Sequence, residues 1–167
     1  MHTRELAQAL SAYNRWMNEK VYAVAAELSD GERKRDLGAF FGSLHRTLGH
    51  ILLGDQSWLQ RLEGQPVTMT GPDQQLHDDF AELRAARARM DDAIDQYVST
   101  LDEERADTLL PYYSVTYKVH RTIPTWAAVM HMFNHQTHHR GQATTLLKQL
   151  GKDPGVTDLP FMPYFDR

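Results

Sequence analysis

Four stretches of this sequence place apolar residues three or four apart over long runs, which commits most of the chain to amphipathic helix. Such positions share one helical face, and that face is stable in water only when it packs on another. The first run is Leu6, Leu10, Tyr13, Met17, Val21, Val24 and Leu28, and Ser29-Asp30-Gly31 reads as its stop. The second aligns Phe41, Leu44, Leu48, Ile51, Asp55, Trp58 and Leu62, then stops at Gly64 with Pro66 behind it. The third follows Gly71-Pro72-Asp73 and carries Leu76, Phe80, Leu83, Arg87, Met90, Ile94, Tyr97 and Leu101. The fourth opens near Thr122-Ile123-Pro124, where proline suits a first helical turn, and closes at Gly151 with Pro154 following. Runs of roughly four to eight turns each are the seams of a four-helix bundle, so the expected class is all-α. Between the third and fourth runs, Leu110 to Val119 is rich in aromatic and β-branched residues and predicts a short extended segment or β-hairpin. The tail from Asp153 to Arg167 is rich in proline and aromatics and is expected to pack on the bundle or on a second subunit.

At 167 residues, a single domain over the whole chain with a real core is expected. The formal charge of −4, from 18 basic and 22 acidic side chains, argues against a nucleic-acid binder that relies on a basic footprint. The absence of cysteine excludes disulfides, thiolate metal sites and a cysteine nucleophile. No apolar run approaches the ~18 residues of a membrane span. Met1-His2-Thr3-Arg4-Glu5 lacks an apolar secretory segment, so a cytoplasmic location is expected.

The chain has nine histidines, and five fall between His120 and His139. Leu150, Leu146 and Ala143 define the apolar line of the fourth run, and counting back by fours puts His139 and His135 on it. His131 is displaced from His135 by about 40° around the axis, and His138 from His139 by about 100°. His131 is therefore a borderline inward position, and His138 points away. A buried ring without a partner costs about 1–3 kcal/mol, and one metal ion satisfies two such rings together. The competing reading is a hydrogen-bonded core histidine. A third ligand must come from another helix, where His45 and His50 are the candidates. Ser43, Thr47, Gly54 and Ser57 lie along the line through His50 and leave room around its ring, which favours His50 over His45. His2, His77 and His120 read as solvent or loop residues. Asp55 and Arg87 are charged residues on apolar lines. They are expected to meet across the bundle, or Asp55 to orient a metal-bound histidine, or either to reach water at a seam edge.

The strings Gly49-His50-Ile51-Leu52-Leu53-Gly54-Asp55-Gln56-Ser57-Trp58-Leu59 and Asn134-His135-Gln136-Thr137-His138-His139-Arg140-Gly141-Gln142 resemble the two signature helices of the DinB/YfiT-like family of DNA-damage-inducible metalloproteins. The likeness extends over essentially the whole chain, including Gly151 and Thr157-Asp158-Leu159. It implies a four-helix bundle with a long crossover and a metal held by His50, His135 and His139. It also implies a homodimer. Zinc or nickel is the leading ion, with iron or manganese as further choices, because imidazole ligation does not select among them. Relatives commonly carry a glycine at a hairpin turn before the last helix; Tyr113 to Lys118 has none.

Three neutral nitrogens with a free position suit an open site that activates water, polarises a carbonyl or binds a thiolate. Relatives include hydrolase-like proteins and thiol-dependent transferases and isomerases, such as mycothiol-dependent maleylpyruvate isomerase. The resemblance thus implies a metal-dependent enzyme acting on a small molecule, by hydrolysis or by transfer involving a low-molecular-weight thiol. Asp55, His131 and Tyr113 are candidates for a general base, each with a structural alternative. Arg140 and Gln142 flank the ligands and suit helix packing or dimer contacts. The rival reading is a non-catalytic, stress-related bundle with a structural or stored metal. DNA binding, suggested by the family name alone, is disfavoured by the net acidity.

Overall fold

The computed structural model describes residues 3–165. It is mostly helical, with one small antiparallel sheet. The elements run α1 (Thr3–Ala26), α2 (Asp30–Lys34), α3 (Leu44–Leu62), α4 (Phe80–Ser99), α5 (Glu103–Asp107), β1 (Leu109–Ser114), β2 (Val119–Pro124) and α6 (Thr125–Gln149), followed by two 3-10 turns at Leu159–Phe161 and Pro163–Phe165. Among the described residues, no helix is long and apolar enough to cross a membrane.

The four periodic runs became the four long helices, with ends set by local chemistry. The α3 helix starts where the Ser43 hydroxyl accepts from the Arg46 amide, and α4 where the Asp79 carboxylate accepts from that of Glu82. Leu76 therefore lies in the loop ahead of α4. The α6 helix ends at Gly151, whose φ of +75° allows the chain to reverse while the Lys152 amide bonds back to the Leu147 carbonyl at 2.9 Å.

The stretch Ser29-Asp30-Gly31 departs from expectation. It opens a short helix rather than only ending one, because Ser29 and Glu32 form a reciprocal capping box. The extended segment is a complete hairpin, pairing Leu109 with Pro124 through Ser114 with Val119. Lys118, at φ +54°, takes the left-handed position in its turn that glycine would suit.

The main packing partners of both α1 and α3 are α4 and α6. Two apolar clusters fill the interior. One gathers Met17, Val21, Leu48, Leu83 and Leu147; the other gathers Leu59, Ile94, Leu101, Ala128 and Met132. Between them along each long helix lies a buried polar layer. Arg87 bonds Asp55 and lies 2.9 Å from the Asp91 carboxylate, Asn18 donates to Asp91 at 2.9 Å, and Arg140 bonds Asn14 and Gln136. Two guanidiniums thus share this layer with two carboxylates, and their charges balance. Asp55 and Arg87 do meet across the interior.

The tail returns along α1. The Tyr13 hydroxyl donates to the Thr157 carbonyl at 2.7 Å, Lys152 pairs with Glu27 at 2.8 Å, and Met162 is buried.

Candidate metal centre

At the level of the polar layer, α3 turns Asp55 inward and its neighbour Gly54 toward α6. That glycine is required by contact. A Cβ at Gly54 would stand 2.6 Å from Cε1 and 2.9 Å from Nδ1 of His135, so only a residue without a side chain lets the ring seat there. His139 follows one turn along α6, and His50 lies one turn before Gly54 on α3. The three rings converge, with one nitrogen from each lying within 4.8 Å of the others. His50 Nε2 and His135 Nε2 are 3.1 Å apart.

Two of the rings are oriented from behind. His50 Nδ1 donates to the Pro72 carbonyl at 3.0 Å, and His139 Nδ1 donates to Gln142 Oε1 at 2.8 Å. Each acceptor fixes the proton on Nδ1 and leaves Nε2 as a lone pair. Phe41 stacks on His50 with ring centres 4.0 Å apart. Burial, then the neighbouring rings of His139 and His50, push His135 down to about 3. Burial also lowers His50 and His139, against the pull of the Pro72 and Gln142 bonds. All three rings are therefore neutral at physiological pH.

Neutral imidazoles with facing lone pairs repel unless a cation or proton stands between them. Nitrogens ~2.0–2.1 Å from one tetrahedral ion lie ~3.3 Å apart, close to the spacing of His50 and His135. The buried Nδ1 of His135 has no partner among the described residues. The donor set thus fits a divalent transition metal.

The other histidines fall outside this group. His45 is buried and bonds the His77 carbonyl at 2.9 Å, which makes it a core residue tied to the loop before α4. His131 stacks edgewise on Trp58 at 4.8 Å, with its ring 6.0 Å from that of His135. His138 is exposed, and His120 sits beside Tyr113 on the hairpin. His2 lies outside the described residues. Of the candidate bases, Asp55 is engaged by Arg87 in the interior, and Tyr113 directs its ring to His120 on the far side of the hairpin from the cleft. Full burial, against the attraction of Arg87, raises the Asp55 carboxyl to about 6.

The rings form the floor of a cleft of about 660 Å³. Its walls include Phe40, Trp58 and Arg61, the loop at Met69 to Asp73, and the hairpin at Tyr112 and Tyr117. Sequence reasoning did not identify Arg61, the Pro72 carbonyl or the seat at Gly54. In the sequence Gly54 reads only as a small neighbour of His50. Gln142 orients His139 rather than packing helices, and Arg140 does pack them, through Asn14 and Gln136.

The model of the DinB family matches residues 1–166. Protein DinB of Bacillus subtilis (strain 168) is 24% identical over 161 residues, covering 92% of this chain and 91% of that protein. The crystal structure of a DinB-like protein from Bacillus cereus ATCC 10987 superposes with a TM-score of 0.65 at 22% identity, covering 85% of this chain and 91% of that one, and so shares the fold.

Proposed function

The chain belongs to the DinB family, and on that premise we propose that it is a metal-dependent enzyme for a small molecule, with His50, His135 and His139 as the metal ligands. The reaction class is hydrolysis, or transfer involving a low-molecular-weight thiol. One observation carries this reading: the three rings converge at the floor of a cleft large enough for a small ligand. A purely structural ion has no use for such an opening. When bound, a divalent ion such as zinc or nickel supplies Lewis acidity toward water, a carbonyl or a thiolate. The Pro72 carbonyl and Gln142 aim two of the rings, and Phe41 covers one face of His50. In the same reading the whole chain is one domain, its four long helices forming a four-helix bundle with a long crossover, and two copies form a homodimer.

The test is His139→Ala. The expected variant keeps its far-UV circular dichroism and most of its thermal stability while elemental analysis shows no bound metal. Collapse of the fold on that change would instead identify a structural ion.

A further inference from the structure

Arg61 lies near the end of α3, in the wall of the same cleft, and is only 8% exposed. Its Nη1 donates to the Ser57 carbonyl at 2.9 Å, and its Nη2 reaches the Tyr113 carbonyl only at 3.5 Å. Nε has no acceptor among the described residues. The rings of Trp58 and Tyr112 flank the guanidinium at 5.0 and 5.6 Å. Arg61 forms no ion pair among the described residues, whereas Arg87, more deeply buried, faces two carboxylates. Buried guanidiniums are normally paired, because desolvation of an isolated charge is expensive. Burial here does weaken the hold of Arg61 on its proton. Asp73, the one carboxylate among the residues lining the cleft, acts on His50.

We infer that Arg61 is an anion-binding residue of the cleft, and that the molecule this protein takes carries a carboxylate that supplies the missing counter-charge. The inference rests on the metal-centre reading for what happens at the other end of the ligand. Three neutral imidazoles leave a divalent ion its full charge, so with Arg61 and Asp73 the cleft is net positive. Arg61 follows Gly54 by seven residues, ~10 Å of helix, and its side chain folds back a turn to Ser57. The guanidinium therefore sits about a turn of helix, ~5 Å, beyond the seat of His135. A small carboxylate can pair with Arg61 while its other end reaches the histidines. Trp58 and Tyr112 offer apolar surface for what lies between.

Benzoate serves as the probe and benzamide as its uncharged counterpart, with binding followed by calorimetry on the full chain in chelator and on the nickel-loaded protein. We expect benzoate to bind both forms, benzamide at least tenfold more weakly, and Arg61→Gln to lose at least tenfold for benzoate in both. In wild-type protein the Arg61 side-chain N–H resonances shift on titration with benzoate, a readout independent of whether the variant folds. Benzoate binding that needs nickel and survives Arg61→Gln would place the carboxylate on the metal and overturn the inference, as would unmoved Arg61 resonances. Failure of the metal reading is separately visible as no nickel uptake on equilibrium dialysis.

Discussion

Gly54 is the residue on which the candidate site turns, through what it lacks. The His135 ring occupies the space of its missing side chain, so Gly54→Ala must push that ring away from His50 and His139. Alanine is intrinsically the better helix former by about 0.5–1 kcal/mol, so helix content should hold. Metal affinity should fall by tenfold or more in equilibrium dialysis with nickel, and unchanged affinity would show that His135 is not a ligand. The same ring gives the metal-free protein a pH dependence. His135 titrates near 3 in the fold but near 6.5 unfolded, so between those values the unfolded chain binds more protons. Stability is full above about pH 6.5 and declines progressively toward pH 3. Thermal melts of chelator-treated protein should show a midpoint that drops from pH 8 to pH 5, with a shallower drop in His135→Leu.

Among elements, α3 and α4 are tied by Arg87, which reaches Asp55 on one helix and Asp91 on its own. Removing the guanidinium strands Asp55 between two apolar clusters and leaves Asp91 only its amide donors Asn14 and Asn18. Breaking a buried pair in this way costs ~3–5 kcal/mol. Arg87→Leu should therefore lower the melting midpoint by about 6–20 °C for a chain of this size, with partial recovery on adding Asp55→Leu. The hairpin is held differently. Its turn forces Lys118 to a positive φ, and the ladder from Leu109 to Pro124 holds it despite that strain.

For the whole molecule, the surface carries apolar residues beyond what the fold covers. Phe161 is 68% exposed, and Tyr164 and Phe165 beside it are also open, on a tail otherwise anchored to α1. A second copy of the chain suits such a surface, since a homodimer buries the same patch on both subunits. Sedimentation equilibrium should give twice the 19.2 kDa chain mass at micromolar concentration. Phe161→Ser should shift it toward the single chain, and a monomer at all concentrations would remove this part of the proposal.

The sequence by itself determined the four long helices, because a period of three to four apolar residues admits little else. It also placed His135 and His139 on one face of the last helix, because residues four apart must share one. It offered the partnership of Asp55 and Arg87 as one of three roles, beside orienting a histidine and reaching water at a seam edge, and only the structure chose it. The choice of His50 over His45 was open in the periodicity, because both flank the apolar line of α3. Only the packed structure brings His50 to His135 and turns His45 to the loop at His77. Ser29 reads as a stop, yet Glu32 three residues on spells a helix start, a local signal that the longer periodicity masks. The Pro72 carbonyl behind His50, the ring seated on Gly54 and the unpaired guanidinium of Arg61 had no sequence signature. Each depends on how separate segments approach in space, and tertiary packing alone sets that distance.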